Sequence, residues 1–130
     1  MIQWKDDYKI GIEKIDEQHK KLFEIANRAY DILTKEIVVD KYDKVADVIE
    51  ELREYTSYHF KTEEDYMLKI GYKRFLSQKA AHDEFIKKIY GINLDDISEN
   101  DDKQLLDILE FVVNWISGHI LGADKLICEG

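Results

Sequence analysis

Four histidines are the residues of this 130-residue chain whose spacing most clearly suggests chemistry, because one falls in each of four stretches with helical periodicity. They are His19, His59, His82 and His119. A single histidine on the apolar face of a helix is more often a hydrogen-bonded core residue than a ligand. Here, however, two lie near the start of their helices and two lie closer to the end of theirs. At a rise of about 1.5 Å per residue, helices that alternate in direction bring all four imidazoles to one end of a bundle.

Two carboxylates accompany these histidines. Glu63 follows His59 by four residues, about 40° around an ideal helix, so both side chains can reach one centre. Asp124 follows His119 by five residues, about 140° around an ideal helix, so one metal ion could take both only if the helix is locally distorted. The alternative is that Asp124 bridges to a second metal, and this misfit favours two metals with bridging carboxylates. Imidazole and carboxylate ligands without thiolate suit iron, manganese or zinc.

The spacing of apolar residues predicts four helices, at about 17–35, 44–69, 74–90 and 102–126. Asp16 is a suitable N-cap for the first helix, and Gly71 suits the left-handed cap that ends the second. We expect residues 1–15 to form an N-terminal arm that packs on the helices. The chain has no proline and only 6 glycines, and the loops between its predicted helices are short. These features predict an all-α fold, an up-down-up-down antiparallel four-helix bundle in one domain of residues 1–130.

Charge and composition exclude several classes of function. The 19 Lys and Arg residues against 28 Asp and Glu give a net charge of −9, which disfavours nucleic acid and anionic membranes as partners. A single cysteine, Cys128, rules out an intrachain disulfide and a zinc site built on several thiolates. The charged N-terminus does not resemble a signal peptide, and no apolar run approaches the roughly 20 residues that cross a bilayer. We therefore expect a soluble, cytoplasmic protein.

The stretches around the histidines resemble the hemerythrin family, and in particular its bacterial members. The resemblance covers essentially the whole chain, and its set of motifs is highly specific. The matching residues are Trp4, Gly11–His19, His59–Glu64, Met67, Gly71–Tyr72, Gln78–Phe85, Trp115–Ile120 and Asp124.

This resemblance implies two iron ions, connected by an oxo or hydroxo group, with dioxygen as their ligand. Dioxygen would bind end-on at the iron with the open position, in an apolar pocket lined by Phe60 and Ile116. Such a dry pocket keeps protons and competing ligands away from the reduced pair. The implied function is that of an oxygen carrier, store or sensor. The implied iron ligands are His19 and His59 for one iron, His82 and His119 for the other, and Glu63 and Asp124 as bridges.

One residue departs from the family pattern. The third helix of the family usually carries two histidines four residues apart, and here Gln78 stands in place of the first while His82 is the second. Gln78 could ligate the iron through its amide oxygen. Alternatively, water or another small ligand could fill the position with Gln78 beside it, or the site could hold a single metal or be a structural relic. The first two alternatives open or soften a coordination position that is normally closed.

The departure leaves two classes of function open. The resemblance favours a protein that binds dioxygen or another small molecule over an enzyme. An altered iron would also suit an enzyme that reacts with peroxide or nitric oxide, or a redox-sensing signalling module that acts through the N-terminal arm. The sequence leaves the oligomeric state open, a monomer included.

Overall fold

The computed structural model describes residues 2–35, 41–92 and 102–129, and every regular element in these ranges is helical. The all-α four-helix bundle predicted from the sequence is therefore confirmed. The two end residues of the predicted domain and the connections at 36–40 and 93–101 lie outside the described residues. The elements are a 3-10 turn (Asp6–Tyr8), α1 (Glu13–Lys35), α2 (Lys41–Ile70), α3 (Phe75–Tyr90), α4 (Asp102–His119), a π-helical turn (Ile120–Asp124) and α5 (Lys125–Glu129).

Consecutive helices of the bundle are antiparallel, because the side chains that pair between them run in opposite order along the chain. This alternation places the starts of α1 and α3 at the same level as the ends of α2 and α4. The pairs are, for α1 and α2, His19 with His59 and Arg28 with Glu51; for α2 and α3, Phe60 with His82 and Glu64 with Lys79; and for α3 and α4, His82 with His119 and Phe85 with Phe111.

The first helix begins earlier than predicted, at Glu13 instead of residue 17, so the arm ends at Ile12 and not at residue 15. Asp16 is not the N-cap, because it lies inside the first turn and its own N–H bonds to the carbonyl of Ile12 at 2.9 Å. Its carboxylate accepts hydrogen bonds from the N–H groups of Ile10, at 2.8 Å, and Gly11, at 3.2 Å. Asp16 therefore holds the preceding loop against the helix, and Gly11 turns the chain there with φ +93°.

The second helix also begins earlier than predicted, at Lys41 instead of residue 44. Tyr42 in its first turn packs against the hydrophobic core, and this burial extends the helix into a polar stretch that looked like a turn. The predicted end is confirmed, since Gly71 adopts φ +66°. The N–H of Tyr72 bonds back to the carbonyl of Met67 at 2.9 Å, as in a Schellman cap.

The fourth predicted helix, 102–126, is not continuous. α4 ends at His119, and in the following π-helical turn the N–H of Lys125 bonds to the carbonyl of Ile120, five residues earlier. α5 then extends the helical structure to Glu129. A π turn adds one residue to a helical turn without interrupting the run of apolar residues, so the periodicity gave no sign of it.

The N-terminal arm packs on α1, as expected. The rings of Trp4 and Tyr8 lie 5.7 Å and 5.0 Å from the ring of Phe23. Ile2 is held by the side chain of Asn27, whose Oδ1 accepts from the Ile2 N–H at 2.9 Å and whose Nδ2 donates to the Ile2 carbonyl at 2.6 Å. The arm is thus tied to the helix by both aromatic packing and paired hydrogen bonds.

The last helical stretch contradicts the expectation that no apolar run is long enough to cross a membrane. By length and mean hydropathy, 1.3, Lys103–Ile127 is long and apolar enough to cross a membrane. This stretch has few charged residues, so composition alone does not exclude a membrane span. One face of the stretch nevertheless contributes Leu109, Val112, Ile116 and Ile120 to the hydrophobic core of the bundle.

Candidate metal centre

Six side chains from four helices and the π turn meet at one end of the bundle. Five of them are no more than 1% exposed, and the sixth, His119, has a side chain that is 9% exposed. The helices that carry them alternate in direction, which is why the histidines meet although they lie far apart in the sequence. The five are His19, His59, Glu63, His82 and Asp124.

The first group of potential metal ligands contains His19, His59, Glu63 and Asp124, whose ligand atoms all lie within 4.8 Å of one another. His59 Nε2 lies 3.2 Å from Glu63 Oε2, and His19 Nε2 lies 3.2 Å from Asp124 Oδ2. His19 Nε2 is also 3.5 Å from Glu63 Oε2. Two imidazoles and one oxygen from each carboxylate therefore surround one point.

The second group contains His82 and His119 with the same two carboxylates. His82 Nε2 lies 3.3 Å from Glu63 Oε1, and His119 Nε2 lies 3.3 Å from Asp124 Oδ1. The two imidazole Nε2 atoms are 3.1 Å apart. Glu63 and Asp124 thus each direct one oxygen to the first group and the other oxygen to the second, which is the arrangement that a carboxylate bridging two metals requires.

The pairing of His119 with Asp124 depends on the π turn. The two residues are five apart and would diverge on an ideal α-helix, but bonding from i to i+5 brings them close to one face. Of the two explanations that the sequence allowed for this spacing, the structure shows local distortion of the helix. The spacing therefore gives no independent support for two metals, whereas the split of the carboxylate oxygens does.

The polar atoms at the centre lack the partners that a buried site normally supplies. Both ring nitrogens of His19 and both carboxylate oxygens of Glu63 are buried and form no hydrogen bond among the described residues. The oxygens of Glu63 lie within ion-pair distance of the imidazole nitrogens of His19, His59 and His82. These contacts do not have the geometry of hydrogen bonds. Because unsatisfied buried polar groups are costly, a cation among imidazole and carboxylate ligands fits this donor set, and iron is among the metals it suits.

The pKa values at the centre describe how it holds protons without a metal. Burial opposes a charge on His19, but the carboxylates of Asp124 and Glu63 outweigh it and raise the pKa of His19 to about 9. Burial lowers the pKa of His59. Burial also favours the neutral form of Glu63, but its contacts with three imidazoles hold the pKa of this carboxyl well below its ordinary range. A bound cation would take the place of the proton on His19, so metal binding and proton release are coupled.

Gln18 and Glu64 orient two of the imidazoles, a role that the sequence reasoning missed. The Nδ1 of His59 lies 2.8 Å from Gln18 Oε1, and the Nδ1 of His82 lies 2.8 Å from Glu64 Oε2. Metal-bound histidines usually donate their second ring N–H to such an acceptor, which directs the other nitrogen to the metal. Both acceptors lie next to a predicted ligand in the chain, so their adjacency was the available signal.

Aromatic rings pack directly on the second group of ligands. The ring of Phe60 stacks on His82 with centroids 3.9 Å apart, and the ring of Trp115 stacks on His119 at 4.5 Å. Ile116 is 4% exposed and belongs to the same core. Of the two predicted pocket residues, Phe60 therefore lies directly beside the centre, and Ile116 lies in the buried core. Trp115 is an additional aromatic neighbour of the centre that the sequence reasoning did not identify.

Gln78, the residue in doubt from the sequence, lies at the edge of the second group. Its side chain is 4% exposed, and its Nε2 donates to Asp124 Oδ1 at 3.3 Å. The structure thus brings Gln78 to the bridging carboxylate, with its amide nitrogen facing Asp124.

Comparison with known proteins identifies relatives over nearly the whole chain. A family model described as the hemerythrin HHE cation binding domain matches residues 10–128. A bacteriohemerythrin from Clostridium acetobutylicum is 50% identical over 125 residues, which cover 96% of this chain and 97% of that protein. A bacteriohemerythrin from Stenotrophomonas maltophilia is 31% identical, over 99% of this chain and 80% of that protein. The crystal structure of a wild-type hemerythrin is similar with a TM-score of 0.79 and 25% identity, covering 99% of this chain and 96% of that one.

Proposed function

Because the chain belongs to the hemerythrin family, we propose that it is a non-haem di-iron protein that binds dioxygen reversibly. The observation that carries this proposal is the division of the carboxylate oxygens. Glu63 and Asp124 each direct one oxygen to the histidines of the first group and one to those of the second. Two adjacent sites that share two carboxylates suit a pair of metals.

The chain's own residues have distinct tasks in this proposal. His19 and His59 would hold one iron, His82 and His119 would hold the other, and Glu63 and Asp124 would each offer one oxygen to either iron. When bound, a reduced iron pair supplies the electrons that dioxygen binding requires. Gln18 and Glu64 accept the second N–H of an imidazole in each group and so keep the metal-facing nitrogen unprotonated.

The packing around the centre supports reversible binding. Phe60 and Ile116 are 5% and 4% exposed, and Phe60 covers one face of His82. An apolar, water-excluding environment limits the supply of protons to the centre. These side chains therefore favour a ligand that leaves as it arrived, as a carrier or a store requires.

Addition and removal of dioxygen tests this proposal. The iron-loaded protein is reduced under anaerobic conditions, exposed to dioxygen and then flushed with argon, while its absorption spectrum is recorded. We expect a ligand-to-metal charge-transfer band that forms with dioxygen and disappears on flushing. Glu63→Ala is the control, since loss of a bridging carboxylate should abolish the band. Irreversible oxidation of the wild-type protein on first exposure would reject reversible binding.

A second candidate function is reaction with peroxide at the Gln78 side of the centre. It is favoured by the position of Gln78, whose amide nitrogen faces Asp124 where the family usually has a histidine. Sustained peroxide reduction with an electron donor, lost in Gln78→His, would support this candidate. Equal rates in both proteins would argue against it.

A further inference from the structure

We propose that the centre has a second small-ligand site on its Gln78 side, which takes a small monovalent anion. This inference rests on the proposed di-iron centre. It differs from the implied dioxygen pocket because it opens beside the start of α3 and its lining includes neither Phe60 nor Ile116. The probe anion is azide, which is small and has no chemistry of its own with the protein side chains.

A cavity of about 230 Å³ reaches the centre at this point, and its lining includes Arg74, Gln78, His119 and Gly122. A water molecule occupies about 30 Å³ in the liquid, so the cavity has room for an anion of three atoms. His119 is the imidazole of the centre with the largest exposed fraction, 9%, whereas His19 and His82 are each 1% exposed as side chains. The cavity is therefore a path from solvent to the second group of ligands.

Gln78 has unused hydrogen-bonding capacity where it lines this cavity. Its Nε2 uses one N–H for Asp124 and keeps a second N–H for another acceptor. Its Oε1 is buried and has no partner among the described residues. An anion in the cavity can accept this second N–H, whereas Oε1, itself an acceptor, can be satisfied only by a donor or a cation. The carboxamide also leaves free the space that the ring of a histidine would take.

Positive charge at the mouth of the cavity favours an anion. Arg74 is exposed, and its guanidinium forms no ion pair with a carboxylate in the described part of the chain. It directly precedes the 16-residue helix α3, whose N-terminal end adds partial positive charge. In a chain with net charge −9, this local positive region would draw small anions to the cavity.

Counting bound azide in the oxidised, iron-loaded protein tests the proposal. Calorimetry and absorption titration should show two azide ions per chain in the wild type and one in Gln78→His. Gly122→Leu should also bind only one, because a Cβ at Gly122 meets no atom within 4 Å and a longer side chain can extend into the cavity. The azide that both variants keep is the one bound on the Phe60 side.

A pair of charge variants tests the mouth of the cavity without touching the centre. Arg74→Ala should slow azide association with the second site by a factor on the order of 10 at low salt. Lys73→Ala removes a neighbouring exposed charge outside the lining and should slow association less than Arg74→Ala does. Both residues are exposed, so neither substitution should disturb folding.

The outcomes separate this inference from the proposed function. One azide per chain in the wild type, with two irons bound, overturns the second site and leaves the di-iron centre intact. Equal association rates in Arg74→Ala and Lys73→Ala overturn the role of the positive mouth. A protein that binds neither iron nor azide overturns both the proposed function and this inference.

Discussion

Glu64 is expected to control metal affinity although it is not a proposed ligand. Its Oε2 lies 2.8 Å from His82 Nδ1, and the opposite ring nitrogen of His82 faces Glu63 and His119. Glu64→Ala removes the acceptor, so that His82 loses the contact that selects its tautomer and orients its ring.

The magnitude follows from the geometry of this contact. A charged acceptor at 2.8 Å forms a strong hydrogen bond, and it is 15% exposed, so water screens it only in part. Loss of such a partner typically costs about 10- to 100-fold in metal affinity, which is roughly 1.4 to 2.8 kcal/mol. Lys79 retains its ion pair with Asp83 at 3.0 Å, so the variant leaves no unpaired lysine beside the site.

Competition with a chelator measures this affinity, and Glu84→Ala is the matched control. Glu84 is 69% exposed and pairs with Lys88, so its removal changes the net charge equally without touching an imidazole. We expect Glu64→Ala alone to lose affinity, with unchanged helical content. Equal affinity of the two variants would refute the reasoning that this carboxylate orients His82.

Three further predictions concern other parts of the centre. Gln18→Leu should weaken metal binding about tenfold or more, because His59 Nδ1 loses its acceptor; chelator competition measures it, and an unchanged affinity would count against the orienting role. In the metal-free protein, the charged form of His19 stabilises the fold. This stabilisation is complete below about pH 6.5 and is lost as the pH rises through the pKa of His19, which is about 9. Urea unfolding should therefore show stability falling over this window, and a rise would contradict the assignment. Phe60→Ala should cost about 3 to 5 kcal/mol in urea unfolding, whereas a loss below about 1 kcal/mol would show that Phe60 is not tightly packed.

Much of the fold followed from the sequence because the pattern of apolar residues is regular. The helical spacing predicted the four helices and their alternation, and Gly71 marked the end of α2. The early start of α1 was missed because Asp16 can either cap a helix or, from inside its first turn, bind the preceding backbone N–H groups. Local residue preferences do not distinguish these two roles.

The sequence also predicted only part of the candidate site. One histidine on each helix was a signal strong enough to place all four imidazoles at one end of the bundle. The spacing of His119 and Asp124 allowed a local distortion of the helix as one of two explanations, but nothing in Ile120–Asp124 marks the π turn that produces it. The orienting contacts of Gln18 and Glu64 depend on side-chain directions, which only the packed helices determine.

The central claim is that two groups of histidines, joined by Glu63 and Asp124, hold two iron ions in each chain. Metal analysis of the protein produced with ample iron, with protein concentration determined by amino-acid analysis, tests this most directly. We predict two irons per chain in the wild type and a clear loss in Glu63→Ala. One metal per chain, another metal in place of iron, or equal iron content in the variant would contradict the account.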